Sequence, residues 1–430
     1  MADILPAARV EQGALKDADF LLNPRLQQLL ALLAQDGEEA RVAGGAIRNA
    51  LLGVPVSDID IATTALPDVV ITRAKAAGLR TIPTGIDHGT VSVGVEGEYF
   101  EVTTLREDIE TDGRRAVVRF GRDFEADALR RDFTINALSV SADGRLFDYC
   151  NGVADIAARR VRFIGDADTR IREDYLRVLR LFRFHAAYGE GAIDTAAIDA
   201  ATRLQSGLDA LSRERVHMET FKLLAARSAP QAAQAMLDCG ILSRLLHGVS
   251  NPARLQRVAD IEAARHVDAD ATLRMIALCT EVEDDQERLR ERLRLSNAQT
   301  QRLTGAMRAL AAIRSLPGKN DPPPPSELYR LLFLFGRRAA LDAVILEHAN
   351  ARAPAQDASW LSAAAFLRDT PEPRLPFTGE DLLQRGLQSG PAIGAALKRL
   401  QALWIRAGFP REPDVLAQLL DKALDPGRED

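Results

Sequence analysis

The fold of the chain is decided by one stretch, residues 42–64, with the sequence Val-Ala-Gly-Gly-Ala-Ile-Arg-Asn-Ala-Leu-Leu-Gly-Val-Pro-Val-Ser-Asp-Ile-Asp-Ile-Ala-Thr-Thr. A short apolar strand ends at Ala43, and Gly44–Gly45 forms a turn that residues without a side chain make easily. Residues 46–52 then predict one or two helical turns that end at Gly53. Paired glycines between a strand and a helix leave N–H groups at the helix N-terminus, an arrangement that suits a phosphate.

Two carboxylates follow this turn. Ile59 and Ile61 alternate with Asp58 and Asp60, which predicts a strand with both carboxylates on one face. Such a pair beside a glycine turn can hold Mg²⁺ against a triphosphate. Alone, a Gly-Gly is common in turns and an Asp-x-Asp is common on edge strands, but together they predict a metal–nucleotide site. We expect Asp58 and Asp60 to bind two Mg²⁺ ions, with Glu101 on a neighbouring strand as a candidate third carboxylate.

The same stretch carries a family signature. The chain resembles class II CCA-adding enzymes and bacterial poly(A) polymerases in the pattern Gly44-Gly45-x-x-Arg48, Leu51-Leu52-Gly53 and Asp58-x-Asp60. This resemblance implies an α/β nucleotidyltransferase head of the polymerase-β type, followed by an all-helical neck, body and tail. It also implies that Gly44, Gly45 and Arg48 hold the triphosphate. The family usually has aspartate after the arginine, where this chain has Asn49.

A second motif, residues 130–137, closely matches the Arg-Arg-Asp-Phe-Thr-x-Asn motif of the family. A helix would place Asp132 and Asn136 on one face, with Arg131 beside them. A surface ion pair with a capping aspartate is the alternative that the residues alone leave open. The resemblance implies that Arg131 and Asp132 contact the sugar and phosphates of the incoming nucleotide, with Asn136 as a further candidate.

A third motif lies in the predicted helix 172–187. Asp174, Arg177 and Arg180 follow each other at three-residue intervals along a polar stripe, preceded by Glu173. A solvated face with ion pairs is the alternative, but Glu-Asp-x-x-Arg resembles the nucleobase-selecting helix of the family. A carboxylate accepts from an exocyclic amino group and an arginine fork donates to ring acceptors, so Asp174 and Arg177 would select cytosine and adenine. Glu173 would position them.

The remaining patterns divide the chain into four predicted domains. Strands are expected at 90–95 and 99–104, a charged mobile loop at 107–125, and a helix and hairpin within 126–149. From residue 150 onward the periodicity is helical. We predict a head over 1–149, a base-selecting neck over 150–225, a body over 226–355 and an RNA-binding tail over 356–430. Residues 148–155 resemble the family's hinge, residues 212–219 a further helix motif, and residues 377–394 its tail motifs.

Composition restricts the classes of protein that the chain can be. It has 430 residues, 47% hydrophobic and 27% charged, which is ordinary for a globular protein. No apolar run is long enough to span a bilayer, and the first residues lack a secretory pattern. Three widely spaced cysteines are expected to be buried thiols without a zinc site. We therefore expect a cytoplasmic protein, monomer or homodimer, with no membrane partner.

Charge is informative about RNA. The net charge of −6 argues mildly against a protein that coats nucleic acid along its length. Between residues 159 and 183, however, eight arginines stand against four acidic residues. This local excess of positive charge can meet an RNA backbone or a triphosphate.

The function predicted from these features is addition of CCA, from CTP and ATP, to the 3′ end of tRNA, with pyrophosphate released. The tRNA would be held by its 3′ end and elbow. Three alternatives stay open: a poly(A) polymerase, an enzyme of the same family that adds only CC or only A, and a non-catalytic RNA-binding module.

Overall fold

The structure is a computed structural model that describes residues 15–112, 115–282, 284–317 and 320–424. Side chains are not described at residue 87 and over 107–118. The chain divides into two compact units, Met1–His247 and Gly248–Asp430. The four-part division into head, neck, body and tail stays a prediction.

The first part of the first unit is a mixed sheet with flanking helices, as a nucleotidyltransferase head requires. Its elements are α1 (Pro24–Leu33), β1 (Ala40–Ala43), α2 (Gly45–Leu51), β2 (Asp60–Thr63), α3 (Pro67–Ala76), β3 (Arg80–Gly85), β4 (Thr90–Val95), β5 (Glu98–Thr104), β6 (Arg106–Asp112), β7 (Arg115–Phe120), α4 (Phe124–Leu129), β8 (Leu138–Val140) and β9 (Leu146–Asp148). The predicted strands 90–95 and 99–104 and the predicted hairpin within 126–149 are confirmed, whereas the helix expected within 126–149 is represented only by the end of α4, which stops at Leu129.

The sheet places the glycine turn next to the carboxylates. Its strand order is β3-β4-β5-β2-β1-β8-β9. Strand β1, which ends at the glycine turn, pairs antiparallel with β2, so that Ala43 lies opposite Asp60. Strand β2 pairs parallel with β5, so that Asp60 lies opposite Glu101. The apolar side chains of these strands, such as Val42, Ile61 and Val102, are buried and fix the register.

The predicted strand with two carboxylates is shorter than expected. Strand β2 begins at Asp60, because its pairing with both neighbours begins there, and Asp58 lies in the extended segment before it. The charged segment 107–125, predicted as a mobile loop, is also different. It forms the antiparallel hairpin of β6 and β7, which pair with a register shift between Asp108 and Glu110. The turn residues 113 and 114 lie outside the described residues.

Helices make up the rest of the first unit. They are α5 (Gly152–Ala157), α6 (Ala167–Glu173), α7 (Leu176–Tyr188), α8 (Thr195–Leu204), α9 (Arg213–Leu224), α10 (Ala229–Asp238) and α11 (Ile241–Leu246). The predicted hinge begins at Asp148, whose carboxylate accepts hydrogen bonds from the backbone N–H groups of Cys150, Gly152 and Val153. These bonds satisfy donors at the start of α5.

The prediction of a single helix over residues 172–187 is wrong, because two helices occupy this range. Asp174 has extended backbone angles (φ −156°, ψ 106°), so α6 ends at Glu173 and α7 starts at Leu176. The Asp174 side chain accepts from the Leu176 N–H at 3.0 Å, which lets it start the second helix after ending the first. Asp174 and Arg177 are therefore close together without lying on one helical stripe.

The second unit is helical throughout the part of it that the structure describes. Its elements are α12 (Pro252–Ala264), α13 (Ala271–Cys279), α14 (Asp285–Arg292), α15 (Asn297–Arg314), α16 (Pro325–Asn350), α17 (Ala358–Asp369), α18 (Gly379–Gln384), α19 (Pro391–Arg406) and α20 (Pro413–Leu424). Gly336, with φ +76°, breaks α16 into two helices. Trp404, Leu400 and Leu420 lie in a core cluster shared by α19 and α20.

All three cysteines are free thiols. The prediction that they are buried holds for Cys279, whereas Cys150 and Cys239 are half-buried. Burial raises the pKa of Cys150 to about 11 and that of Cys279 to about 12, so both stay protonated at neutral pH. Across the described ranges, the structure contains no helix with the length and apolar character needed to cross a membrane.

Candidate active site

The predicted site residues meet in one cleft of the first unit, with a volume of about 600 Å³. Eleven of the twelve predicted residues line it, and Glu173 lies just outside. Seven cationic side chains and four carboxylates face this cleft, so its charge favours an anionic ligand. The lining residues are Gly44, Gly45, Arg48, Asn49, Ser57, Asp58, Asp60, Arg130, Arg131, Asp132, Asn136, Asp174, Arg177, Arg180, Arg183, Phe184, Tyr188 and Lys222.

The glycine turn forms the floor of this cleft. Gly44 has φ +78°, a conformation that L side chains rarely adopt, and its N–H donates to the Leu138 carbonyl at 2.9 Å. A Cβ atom at this position would stand 3.1 Å from Nη1 of Arg131. Glycine at position 44 therefore serves both the turn and the close approach of an arginine to the backbone.

The two carboxylates lie at the mouth of the turn. Asp58 accepts a hydrogen bond from the hydroxyl of Ser57 at 3.0 Å. Burial raises the pKa of the Asp60 carboxyl, the charges of Glu101 and Asp58 raise it further, and Arg131 opposes them. Carboxylates held close together repel each other when they are ionised, and a bound cation would remove this electrostatic cost.

These donors fit a magnesium site. Mg²⁺ is usually held by one or two carboxylates, with water and substrate phosphates as its other ligands. Asp58 and Asp60 line the cleft and supply two such carboxylates. Within the described residues, no cluster of three or more His, Cys, Asp or Glu side chains has the arrangement of a metal site. The structure thus gives no support for Glu101 as a third ligand. Glu101 affects the site through its charge, which raises the pKa of Asp60.

Arg48 is the central cation of the cleft. Only 6% of its surface is exposed, and burial lowers the pKa of its guanidinium. It donates to Asn136 Oδ1 at 2.5 Å, to Asn49 Oδ1 at 2.9 Å and to the Tyr188 hydroxyl at 2.8 Å. Its Cζ atom also lies 3.9 Å from the centroid of the Tyr188 ring. These contacts fix the guanidinium one turn beyond the paired glycines.

The unusual Asn49 has a defined role in this network. Its side-chain oxygen accepts from Arg48, and its amide nitrogen donates to the carbonyl of Pro55 at 3.1 Å. An aspartate would keep the first contact and lose the second. The amide therefore ties α2 to the segment that leads to Asp58.

We expect Asn49→Asp to change nucleotide incorporation by less than about tenfold, which is about 1.4 kcal/mol of activation free energy. The carboxylate still accepts from Arg48, while the exposed Pro55 contact contributes little. The measurement is kcat/KM for CTP, with Asn350→Asp in the second unit as a control with the same change of charge. A complete loss of incorporation would contradict this and show that the amide donor is essential.

Arg131 and Asn136 share a rigid polar cluster with Asp127. Arg131 donates to Asp127 at 3.1 Å and to the Asn136 carbonyl at 3.2 Å. The helix predicted over this motif is absent: α4 ends at Leu129, and residues 134–136 form a 3₁₀ turn. Asn136 nevertheless reaches Asp132, because its amide donates to Oδ1 at 3.1 Å. The predicted contact is thus formed by a different backbone conformation.

Asp132 is buried and fully engaged. Its Oδ1 accepts from Asn136 and from the Phe133 N–H, and its Oδ2 accepts from Nε of Arg180 at 2.6 Å and pairs with Nη2 at 2.6 Å. Burial opposes ionisation, but the charge and hydrogen bonds of Arg180 keep the pKa of Asp132 below its ordinary value. A carboxylate has about four lone-pair sites, so Asp132 has no free acceptor for a ligand.

The two candidate base-selecting residues have different partners. Asp174 pairs with Arg215 of α9 at 2.6 Å in addition to its bond from Leu176. Arg177 donates to Glu173 at 2.5 Å and to the Arg170 carbonyl at 3.1 Å. Two acceptor sites on Asp174 and further donors on Arg177 are left for a ligand. Glu173 orients Arg177 from outside the cleft.

Helix α9 stabilises this side of the cleft. Ser212 caps it, with its hydroxyl accepting from the Arg215 N–H at 3.5 Å. The carboxylate of buried Glu219 lies 2.8 Å from Nε of Arg183 and 3.7 Å from Arg180. Arg215 of this motif therefore stabilises the segment that carries Asp174, and Glu219 pairs with two further arginines.

Several lining residues were not found from sequence. Arg130 and Arg183 belong to the arginine-rich motifs that were recognised, so adjacency could have indicated them. Tyr188 and Lys222 lie near the ends of α7 and α9 and carry no local motif. Only the packing of α7 against α2 and α9 brings them to the cleft, and no sequence pattern expresses that packing.

The comparison with known proteins agrees with this geometry. Residues 40–162 match the family model described as the poly A polymerase head domain. The CCA tRNA nucleotidyltransferase 1, mitochondrial, of Mus musculus is 32% identical over 408 residues, which cover 94% of this chain and 91% of that protein. The CCA-adding enzyme of Latilactobacillus sakei is 30% identical, with 91% and 97% covered.

A solved structure is similar over nearly the whole length. The Bacillus stearothermophilus CCA-adding enzyme in complex with CTP has a TM-score of 0.72 and 27% sequence identity with this chain. The match covers 93% of this chain and 96% of the other. The polymerase-β-like head and the helical remainder are thus shared with a protein of similar size.

Proposed function

The chain belongs to the family of CCA-adding tRNA nucleotidyltransferases, and from this premise we propose that it adds CCA to the 3′ end of tRNA. CTP and ATP are the substrates. In each step the terminal hydroxyl oxygen of the RNA attacks the α-phosphorus, an O–P bond forms, and the bond to the bridging oxygen breaks. The hydroxyl proton and pyrophosphate leave.

One observation carries this proposal. A single cleft brings together the Asp58–Asp60 pair, the glycine turn with Arg48 and Arg131, and the Asp174–Arg177 pair. Nucleotidyl transfer needs carboxylates at the reacting phosphate, cations along the triphosphate and a device that selects the base. The cleft has residues for all three.

The charged residues of the head would hold the triphosphate and the metal. Arg48 and Arg131 donate toward the phosphates across the Gly44–Gly45 turn. Asp58 and Asp60 would hold two Mg²⁺ ions, which stabilise the charge that develops on the attacking and leaving oxygens. Because neighbouring side chains already fix these arginines, their side chains would lose little conformational freedom when the triphosphate binds.

Asp132 would act on the sugar indirectly. All of its acceptor sites are taken by Arg180, Asn136 and Phe133. We therefore assign the sugar and phosphate contact to Arg131, with Asn136 and Arg180 beside it, and give Asp132 the role of holding these two in position. The role proposed for Asp132 is therefore indirect, whereas the family motif led us to expect a direct contact with the nucleotide.

Selection of C and A rests on hydrogen-bond polarity. Both bases present an amino donor next to a ring acceptor on their pairing edge, which suits an Asp174 oxygen and an Arg177 donor. Uracil and guanine present the reverse, so in this site they would leave buried polar groups unpaired. Glu173 contributes by orienting Arg177.

The proposed function also implies a binding partner, tRNA, and a cellular compartment. The tRNA would lie with its 3′ end in the cleft and its elbow on the tail, residues 356–430. The chain would work in the cytoplasm as a monomer or homodimer. Its three cysteines are widely spaced in the sequence, a pattern typical of proteins in a reducing compartment.

A direct assay tests this function. Three tRNA transcripts, ending before CCA, at C and at CC, are each offered CTP, ATP or both with Mg²⁺. With CTP and ATP both present, we expect every transcript to be completed to CCA and addition then to stop. Failure to extend either of the two shorter transcripts beside addition of A to the CC-ended one, or a stop at CC on the shorter ones, would identify a split activity.

Two other outcomes would contradict the proposal. Long A tails on any RNA would make the chain a poly(A) polymerase. Binding of tRNA without incorporation of any nucleotide would leave an RNA-binding module as the function. Intact Asp58 and Asp60 argue against that last outcome.

A further inference from the structure

Arg48 is a buried cation whose side-chain hydrogen-bond partners are all neutral. It donates to the side chains of Asn49, Asn136 and Tyr188. Among the described residues, no carboxylate lies at ion-pair distance from its guanidinium. Burying a charge is costly unless an opposite charge compensates it. The arrangement therefore leaves Arg48 without an ion-pair partner among the described side chains, and an anionic group in the cleft would reduce the cost of burying it.

Tyr188 contacts Arg48 in two ways at once. Its hydroxyl lies 2.8 Å from Nη2, and its ring centroid lies 3.9 Å from Cζ, so that the ring covers one face of the guanidinium. The ring also packs against Phe184, with centroids 5.8 Å apart. A tyrosine has only two side-chain torsions. Here its hydroxyl is held by the hydrogen bond from Arg48 and its ring by the contacts with Arg48 and Phe184. The Arg48 side chain is thus confined by a group on another helix.

The position of Tyr188 connects the two halves of the cleft. It is the last residue of α7, the helix that carries Arg177 and Arg180, whereas Arg48 lies on α2 beside the glycine turn. The Tyr188–Arg48 contact spans 140 positions of sequence. Movement of α7 would therefore shift the cation that faces the triphosphate.

We propose that Tyr188 is a positioning residue for the triphosphate and that it acts through Arg48. A neutral phenol orients the guanidinium without neutralising it, which a carboxylate in the same place would do. This inference rests on the proposed function, because it assumes that a nucleoside triphosphate binds in this cleft.

The test separates phosphate binding from base binding. Equilibrium dissociation constants for CTP and for cytidine are measured without RNA on wild type, Tyr188→Phe and Tyr188→Leu. We expect CTP affinity to fall about tenfold in the phenylalanine variant, which loses the hydrogen bond. In the leucine variant, which loses the ring as well, it should fall about a hundredfold. Cytidine affinity should change less than about threefold, and KM for CTP should rise far more than kcat falls.

Two comparisons make the result specific to Arg48. Tyr99→Phe, at an exposed position on β5, is expected to bind CTP like the wild type. In an Arg48→Ala background, Tyr188→Phe should have no further effect on CTP affinity, since a residue that acts through Arg48 cannot act without it.

Three outcomes would overturn the proposal. The first is equal loss of CTP and cytidine affinity, the second is wild-type CTP affinity in both Tyr188 variants, and the third is an undiminished effect in the Arg48→Ala background. If the leucine variant does not fold, the phenylalanine variant still decides. A wild type that prefers CTP over cytidine but transfers no nucleotide would refute the proposed function while leaving this test valid. A wild type without that preference would refute both.

Discussion

Replacing Asp60 by asparagine is expected to lower single-nucleotide addition to a tRNA transcript by about a thousandfold or more, which corresponds to about 4 kcal/mol of activation free energy. The amide has nearly the same shape but only one acceptor oxygen and no charge, so the proposed magnesium site would lose one of its two carboxylates. Asp58→Asn should act in the same direction. The measurement is the rate of CTP incorporation under single-turnover conditions with saturating Mg²⁺.

Stability gives an independent check on this variant. Burial and the charges of Glu101 and Asp58 raise the pKa of Asp60, so its ionised form is held at a cost in the folded protein at neutral pH. Because Asp60 is exposed to solvent, which screens these charges, that cost is small, and the melting temperature of Asp60→Asn should stay close to that of the wild type. A loss of activity with a preserved melting temperature therefore cannot come from unfolding.

A matched variant completes the comparison. Asp68→Asn makes the same change at an exposed position in the first turn of α3, outside the cleft. It should leave incorporation within about twofold of the wild type, since a surface charge at a helix start contributes little. Incorporation by Asp60→Asn within tenfold of the wild type would show that this carboxylate is not part of the catalytic machinery.

The strongest parts of the site could be predicted because their chemistry is local in sequence. The glycine turn, the carboxylates and Arg48 all lie within residues 42–64, and the structure brings all of them to one cleft. The backbone was less predictable. Asp58 alternates with Ile59 as in a strand, yet the pairing partners of β2 begin only at Asp60. The first residue of a strand depends on where the adjacent strands begin to pair with it, and the sequence of the strand itself does not contain that information.

Two other errors have similar physical causes. The segment 107–125 lacks apolar alternation because its strands are rich in charged residues, so the hairpin of β6 and β7 had no hydrophobic pattern. Residues 172–187 have continuous helical periodicity, but the Asp174 side chain bonds to the backbone two residues later and interrupts the helix. Tyr188 escaped prediction because its contacts with Arg48 depend entirely on helix packing.

Replacing Asp174 by asparagine is expected to reduce discrimination between CTP and UTP by about a hundredfold or more. Asparagine has the same shape, but its amide can donate to the carbonyl that uracil presents where cytosine has an amino group. The rate with CTP should fall and the rate with UTP should rise. Both are measured on the transcript that ends before CCA, and the ratio of ATP to GTP addition is measured on the CC-ended transcript.

The ratio of rates matters here because Asp174 also has a structural partner. Its ion pair with Arg215, at 2.6 Å, connects the segment between α6 and α7 to α9, and the substitution weakens that connection. A purely structural role would lower the rates with CTP and UTP by the same factor, whereas base selection changes them in opposite directions. Asp168→Asn on α6, which removes the exposed ion pair with Arg203 of α8, provides the control for a lost salt bridge. Equal losses in Asp174→Asn would reassign Asp174 to bracing and leave Arg177 as the remaining candidate for selecting the base.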